Sequence, residues 1–529
     1  MKRFSRYGLP IPISKTLVLL IGGSLFLFIL VMAARFHDLS ESKLRPQMNS
    51  SSQKKTLRVL LGTNKKVPFD ENNPTNALET FLAAVLGQLV YSTGAFEVEP
   101  GLIESWKYDI KTASYDLKLK DGIKFHNGRL ATSSDLEFSL VRHLIGPYGS
   151  WFRAFFSNID GIDEIPKDAK YRPGMVSGIQ VINDRVLRIR LKRPNPSFLH
   201  SLARSYFSLV PIEAFSEDTL EWLDYPVGAG PYRVEKVDRE NGNTLLSKID
   251  PAANGPDFIE VFMEKPEGTE IDISLPGVTG SAQTLATLKL PLGITLFYFN
   301  YNHPLSKDPA FRASVRVALN SSATQYTSTQ LKPTDQLLPR HFWGRLSDED
   351  IKLVRESSLQ KSQDKKLSNR REKIVVYDSG ANTPDFFSFL EGIRSQLKSI
   401  GIEAEILKID RKMQLENDSR DLAKISTLGA DVMDPLILFG VFREGSPIGP
   451  YIPPFDERFE RLFLRAAEAT QREDREATIH ELAAYFEQQN YVIPLFERYA
   501  IIAYNADTIE SLGAQNGSLI FYLDRISLK

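Results

Sequence analysis

Cysteine is missing from the whole chain of 529 residues. Its absence excludes disulfide bonds, thiolate metal sites and cysteine nucleophiles. The seven histidines are scattered without the paired spacing of a metal site. The sequence also lacks the Gly-x-Ser-x-Gly, His-Glu-x-x-His, Walker lysine and EF-hand motifs. We therefore expect a protein that is not an enzyme and that holds no cofactor and no metal.

A large net charge is absent as well, because 65 basic residues are balanced by 66 acidic ones. No global field then draws the chain towards nucleic acid. A basic cluster at 365–371 has no interleaved aromatic residues and indicates a solvated linker. The content of 42% hydrophobic and 25% charged residues rules out wholesale disorder, and the length predicts two or three domains. We expect no nucleic-acid partner.

A long apolar run lies at 16–34, after four basic residues and before Arg35. Its length is near the roughly 20 residues that span a bilayer, whereas the core of a cleavable signal has about 7–15. The basic flank favours a cytoplasmic N-terminus, which sends the rest of the chain outward. Val31 and Ala33 leave cleavage open as an alternative. Residues 1–35 are thus predicted to be a signal or a membrane anchor, followed by a flexible polar tether at 36–56.

The second half of the chain contains the clearest local pattern. A strand at 373–377 (KIVVY) precedes a helix that starts at Pro384 and stops at Gly401, and a second strand follows at 402–409. This order predicts a βαβ unit and therefore a partly parallel sheet.

Two further patterns predict strands. Alternating residues at 115–119 and 123–125 flank Asp121 and Gly122, which predicts a β-hairpin. Near the C-terminus, the apolar runs 492–496 and 500–503 predict two consecutive strands.

Six short motifs occur in a characteristic order. They are GLIESW at 101–106, GIKFHNG at 122–128, GAGPY at 228–232, FNYN at 299–302, GADVMDP at 429–435 and VIPLF at 492–496. Their order and spacing resemble extracellular solute-binding protein family 5, the peptide and nickel type that captures ligands for ABC importers. The resemblance extends over residues 57–505.

The resemblance implies an α/β fold of the two-lobed periplasmic-binding-protein type. Mixed sheets, a hinge between the lobes and an extra subdomain in the first lobe are expected. The implied limits are 57–290 for lobe I with its subdomain at about 92–225, 291–505 for lobe II, and 506–529 for a segment that returns to lobe I. The family's usual lipid-modified cysteine is absent here, so the N-terminal run is the candidate anchor to the cytoplasmic membrane.

Asp431 is the leading ligand-binding candidate. It lies just past the predicted strand 425–428, and ligands of open α/β sheets bind beyond the carboxyl ends of strands. In similar peptide binders, an aspartate at the matching position pairs with the peptide's α-ammonium group. Asp434 is a weaker candidate, since an Asp before Pro435 often only organises a turn. Leu428 stands where peptide binders commonly have tryptophan.

Other candidates are placed by region alone. An arginine fork would hold a ligand carboxylate, and Arg340, Arg355 and Arg443 are the candidates for it. Trp343 and Phe439 are aromatic candidates for a cleft wall, together with Phe342, although core packing explains them as well.

These features predict an extracytoplasmic protein that binds oligopeptides or a similar solute between two lobes and delivers them to ABC permease subunits. Closure of the lobes around the ligand would be the mechanism. The alternative is a membrane-anchored receptor of the same fold with a non-peptide ligand, such as a nickel chelate, haem or an oligosaccharide. A hydrolase acting on peptides or cell-wall fragments is a third hypothesis.

Overall fold

A computed structural model gives the architecture of most of the chain. It describes residues 55–62, 76–92, 97–145, 152–153, 156–166, 169–275, 284–323, 328, 330–363, 369–377, 384–409, 420–429, 434–446, 448–515 and 520–529. No helix within these ranges is both long and apolar enough to cross a bilayer. The predicted anchor and tether lie outside them.

Strands and helices are mixed along the chain. The described strands are β1 (Thr56–Leu60), β2 (Val90–Ser92), β3 (Val98–Pro100), β4 (Ile103–Asp109), β5 (Ser114–Leu119), β6 (Ile179–Asn183), β7 (Val186–Arg190), β8 (Tyr232–Val237), β9 (Thr244–Lys248), β10 (Phe258–Phe262), β11 (Ile273–Ser274), β12 (Thr284–Phe299), β13 (Leu331–Pro333), β14 (Arg370–Tyr377), β15 (Ile402–Ile409), β16 (Ala423–Gly429), β17 (Val492–Tyr504), β18 (Ile509–Ser511) and β19 (Ser527–Leu528). The described α-helices are α1 (Asn76–Leu86), α2 (Ser133–Ile145), α3 (Phe198–Ser201), α4 (Pro309–Ala323), α5 (Asp348–Gln363), α6 (Pro384–Ser399), α7 (Pro435–Gly440), α8 (Glu457–Glu468) and α9 (Arg472–Gln489).

Most strands form one mixed sheet with the order β15-β14-β16-β12-β17-β11-β1-β10-β9-β8, and β13 pairs with β17. A separate antiparallel sheet has the order β4-β5-β7-β6. The predicted βαβ unit is confirmed, because β14 and β15 are parallel neighbours joined through α6. The reason is local: Pro384 fits the first turn of a helix, and Gly401, with a φ of 86°, ends it.

Two hydrophobic cores divide the described chain into two lobes. The core of lobe I is formed by buried residues of 57–273 together with Ile502 and the C-terminal residues 509–526. The core of lobe II is formed by buried residues between Ile294 and Phe496. Strands β12 and β17 pair with each other through both lobes, and their register shifts around Pro291 and Gly293. The fold is therefore two-lobed with shared strands at the hinge; the domain limits given above stay predictions.

Two strand predictions are wrong in detail. Residues 115–119 do form a strand, but β5 pairs with β4 and β7 rather than with 123–125. Asp121 and Gly122 make a turn, after which Lys124 and Leu130 form only an isolated bridge. The two predicted strands near the C-terminus are one continuous strand, β17. Long-range pairing, which local patterns do not encode, decides both cases.

The glycine motif at 228–230 packs against the end of α1. A Cβ on Gly228 would lie 2.4 Å from the Leu86 Cα and 2.5 Å from the Val85 carbonyl oxygen. The His126 backbone N–H donates to the Gly228 carbonyl at 2.9 Å, and its Nε2 lies 3.0 Å from the Gly230 carbonyl oxygen. The two motifs thus meet in one corner of lobe I, and they specify its fold.

Lobe II contains a buried ion pair. Arg316 of α4 donates to the Glu487 carboxylate of α9 at 2.8 Å, and the two side chains are 1% and 2% exposed. The other carboxylate oxygen of Glu487 accepts the Leu337 backbone N–H at 2.6 Å. Burial raises the pKa of Glu487, and the charge of Arg316 opposes that shift. The pair therefore ties α4 to α9 inside the core.

Candidate functional site

Asp434 caps the helix that follows β16. Its side chain accepts the Leu436 backbone N–H at 3.1 Å, and Pro435 occupies the first turn of α7. The Arg475 guanidinium lies 3.2 Å from the Asp434 Oδ2, and both side chains are almost fully buried. Asp434 thus organises a helix start and balances a buried charge.

Arg475 connects three elements of lobe II. It lies in the first turn of α9 and donates to the carbonyls of Ala466, Ala467 and Ala469 at the end of α8, at 3.1–3.4 Å. Its guanidinium is also 5.7 Å from the centroid of the Trp343 ring, within cation–π range. We call Asp434, Arg475 and Trp343 the lobe II cluster.

An aromatic and polar surface of lobe I faces this cluster. Tyr108 and Tyr115 stack with ring centroids 4.4 Å apart, and the Tyr115 hydroxyl donates to the Asn195 carbonyl at 2.9 Å. The His200 Nδ1 lies 2.8 Å from the Ser92 hydroxyl oxygen. Tyr115 and His200 are buried, whereas Tyr108 is half-buried.

Electrostatics connect the two surfaces. Burial lowers the pKa of the His200 imidazole; Asp434 opposes the shift, and Arg475 adds to it. Burial raises the pKa of the Tyr115 hydroxyl. The charge of Arg475 opposes this shift, and the charge of Asp434 adds to it. Charges of lobe II act on groups of lobe I only where the lobes lie close together. These residues therefore belong to facing walls between the lobes.

The walls suit binding of a polar solute that has apolar parts. The charges of Asp434 and Arg475 neutralise each other, so the cluster contributes a fixed dipole rather than a net charge. Tyr108, which is half-buried, supplies aromatic surface, and its hydroxyl can orient a ligand.

The residues predicted for the site lie in different places in the structure. Asp431 lies outside the described residues. Trp343 and Asp434 meet at Arg475. Phe439 has no exposed surface and packs edge to face on Phe486 in the lobe II core, 5.3 Å between centroids. Phe342 is buried in the same core.

The three candidate arginines each have an acidic neighbour. Arg340 is more than half exposed; its Nε lies 3.4 Å from Glu497, and its guanidinium donates to the Pro333 carbonyl. Arg355 pairs with Asp335. Arg443 pairs with Glu460 and lies over the Phe463 ring. Their role towards a ligand carboxylate stays a prediction.

Sequence reasoning missed Arg475, Tyr108, Tyr115 and His200. For Arg475 a signal exists, because the residue shares the buried stripe of α9 with Ile479, Leu482 and Phe486. A charge on an apolar helical stripe indicates a buried partner. For the lobe I residues no local signal exists, since they meet lobe II only through the fold.

A second buried polar group lies at the start of β16. The Lys424 ammonium is 4.3 Å from the Tyr451 ring centroid and 4.9 Å from that of Tyr298. Asp421 accepts the Tyr451 hydroxyl at 2.8 Å. Burial lowers the pKa of Lys424 to about 8, and Asp421 opposes the shift. Burial raises the pKa of Asp421.

This lysine makes stability depend on pH. Lys424 is protonated up to its ordinary pKa of 10.5 in the unfolded chain, but only up to about 8 in the folded one. At this group the unfolded state binds more protons between these values, so the contribution of Lys424 to stability rises with pH there. We expect Lys424 to contribute a gain of about 2 kcal/mol from pH 8 to pH 10.

Urea unfolding at both pH values measures this gain. Lys424→Met should abolish it, while Lys373→Met, an exposed lysine on the neighbouring β14, should retain it. An equal gain in Lys424→Met would contradict the assignment.

Sequence comparison supports the resemblance seen in the motifs. Residues 97–248 match the model of the bacterial extracellular solute-binding proteins, family 5 Middle. The chain is 23% identical over 458 residues to the probable ABC transporter periplasmic-binding protein SapA of Escherichia coli, which covers 78% of this chain and 81% of SapA. It is 26% identical over 327 residues to heme-binding protein A of Haemophilus influenzae, 55% of this chain and 57% of that protein.

Solved structures share the fold. Haemophilus influenzae OppA in complex with RPPGFSPFR superposes with a TM-score of 0.69 at 14% identity, over 90% of this chain and 100% of OppA. The dipeptide-binding protein of Pseudoalteromonas sp. SM9913 in complex with Met-Leu gives 0.69 at 17% identity, over 90% and 100%. The predicted two-lobed α/β fold is thereby confirmed. In sequence the chain is similar to the extracellular solute-binding proteins of family 5, and it shares the fold of these solved binding proteins.

Proposed function

We propose that the chain captures an oligopeptide or a similar solute between its lobes and delivers it to the permease subunits of an ABC importer. One observation carries the proposal: β12 and β17 run through both lobes, while the lobe II cluster faces Tyr115 and His200 of lobe I. A two-lobed protein with a shared hinge can close on a ligand, and contacts with that ligand favour the closed state.

Relatives support both the binding of a peptide and the delivery to an ABC transporter. The names of the Escherichia coli dipeptide-binding protein and of SapA refer to peptide binding and to an ABC transporter. The matching family model describes extracellular proteins, which supports our placing the body of the chain outside the cytoplasm. We infer that the apolar run at 16–34 anchors it to the cytoplasmic membrane.

Asp431 is the residue that we assign to the ligand's α-ammonium group. In the sequence it lies between the end of β16 at Gly429 and the start of α7 at Pro435. A buried ammonium needs a carboxylate partner, and this pairing fixes the register of a peptide. Asp431→Ala should therefore weaken binding of a free peptide at least tenfold, about 1.4 kcal/mol or more.

Calorimetry with the full-length chain tests this assignment. Asp348→Ala, which removes an exposed carboxylate of lobe II, is the matched control and should bind like the unaltered protein. Unchanged affinity in Asp431→Ala would remove Asp431 from the site.

The ligand class is tested by a thermal-shift screen. The panel holds di- to pentapeptides, their N-acetylated forms, haem, nickel chelates and oligosaccharides. A ligand at about 100 times its dissociation constant stabilises the native state by about 2.7 kcal/mol. A shift that acetylation abolishes supports peptide capture through a carboxylate. A shift with haem alone would instead favour the non-peptide alternative, which the relative named heme-binding protein A supports.

We propose a binding role and not a catalytic one for His200. Its contact with Ser92 places a hydroxyl beside an imidazole, as in hydrolases. Burial, however, lowers the pKa of this imidazole, which makes it a weak base. Turnover of a bound peptide by the purified chain would contradict this assignment.

A further inference from the structure

A cavity of about 240 Å³ opens on the surface of lobe II, and none of its lining residues belongs to the lobe II cluster. Its lining includes three buried aromatic residues, Phe442, Phe459 and Tyr491. Small-molecule sites usually measure about 300–1,000 Å³. This cavity is below that range, so it fits one large side chain of a partner better than a complete ligand.

One wall of the cavity is a short segment with two prolines, 452–455. Phe455 at its end is 71% exposed, the largest exposed fraction among the large apolar residues of the described chain. A solvent-exposed aromatic ring beside an apolar cavity is typical of a protein interaction site.

The segment is rigid because both of its ends are fixed. Before it, the Tyr451 hydroxyl donates to the buried Asp421 at 2.8 Å. After it, Asp456 accepts the hydroxyls of Tyr485 and Tyr491 at 2.7 and 2.5 Å, and it caps α8. The two prolines restrict φ between these points. The backbone that carries Phe455 therefore has little entropy left to lose on binding.

The rim of the cavity is acidic. The charge of Arg443 is paired with Glu460, and its guanidinium lies 4.3 Å over the Phe463 ring. Glu444 is exposed and has no hydrogen bond or ion pair among the described residues. Taken with Asp456, the lining has three carboxylates and one guanidinium. A partner with basic groups beside its apolar side chain complements this surface.

We propose that the cavity beside Phe455 docks a protein segment that inserts one aromatic side chain flanked by lysine or arginine. This inference goes beyond solute binding between the lobes. It requires neither Asp431 nor the lobe II cluster.

Three peptides test the proposal on the full-length chain. They are Lys-Trp-Lys, Glu-Trp-Glu and Lys-Ala-Lys, each N-acetylated, C-amidated and labelled for fluorescence anisotropy. The caps remove the free termini that the interlobe site would recognise. We expect Lys-Trp-Lys to bind with a dissociation constant on the order of 1 mM, because one aromatic side chain buries only about 150–250 Å². The other two peptides should bind at least about fivefold more weakly.

Variants locate the binding. Phe455→Ala should weaken Lys-Trp-Lys about fivefold or more, and Glu444→Lys should reverse the preference between the lysine and glutamate peptides. Leu353→Ala, at an apolar residue of α5 that is 61% exposed, is the control and should change nothing. Asp431→Ala should also leave this binding unchanged, which separates it from the proposed solute site. Equal affinity for the alanine peptide, or full binding by Phe455→Ala, would overturn the proposal.

Discussion

Glu487→Gln is expected to lower the free energy of unfolding by about 3–5 kcal/mol, the usual effect of breaking a buried ion pair. Glutamine keeps the shape of the side chain and can still accept the Leu337 backbone N–H, so packing changes little. The charge of Arg316 stays, and its side chain is only 1% exposed. An ammonium or guanidinium without a counter-charge in such a place is strongly disfavoured. Urea unfolding at neutral pH measures the loss.

A double variant separates charge from packing. Arg316→Met combined with Glu487→Met removes both charges and leaves two apolar side chains of similar length. Burial already raises the pKa of Glu487, which shows that desolvation opposes its charged form. The double variant should therefore regain more than half of the stability that Glu487→Gln loses. A loss below about 1 kcal/mol in Glu487→Gln would contradict the assignment of an essential pair.

Gly228→Ala is expected to destabilise lobe I by about 3 kcal/mol, at the upper end of overpacking effects. The new Cβ would meet backbone atoms of α1, the Leu86 Cα at 2.4 Å and the Val85 carbonyl oxygen at 2.5 Å. A backbone cannot turn aside as a flexible side chain can, so α1 and the 228–230 segment must separate. That separation would also stretch the hydrogen bonds from His126.

Gly128→Ala is the matched control in the same corner. Gly128 has a φ of 89°, and nothing lies within 4 Å of its added Cβ. Only conformational strain opposes alanine there, which amounts to about 1–2 kcal/mol. Thermal unfolding of the two variants should therefore rank Gly228→Ala as the less stable. The reverse order would show that φ strain, and not close contact, governs this corner.

Local physics made part of the fold predictable. The βαβ unit from β14 to β15 follows from apolar runs of strand length, a proline at a helix start and a glycine at its end. Strand β17 was predicted as two strands, and Glu497 lies between its two apolar runs. In the structure Glu497 is fully buried, accepting the Arg340 backbone N–H at 2.7 Å and the Tyr499 hydroxyl at 2.9 Å. Arg340 is 157 residues away in sequence, so periodicity cannot show this partner.

The candidate site was less predictable than the fold. Asp434 and Trp343 were named from their sequence context, but Arg475, which joins them, is 41 residues beyond Asp434. Phe439 was named as well, although it follows a helix cap and turns into the core. Tyr115 and His200 come from the other lobe. Their relation to Asp434 depends on how β12 and β17 connect the lobes, which is a property of topology.

The two cores use different stretches of the chain, and this determines the order in which the two lobes can finish folding. Lobe II takes its core from one continuous stretch, from Ile294 to Phe496, so it can be completed as soon as that stretch is available. Lobe I begins first but needs Ile502 and residues 509–526 to finish its core. During synthesis from the N-terminus, the first lobe must therefore wait for the last residues. Lobe I is made first and completed last, so its apolar surface would need protection by a chaperone for the longest time.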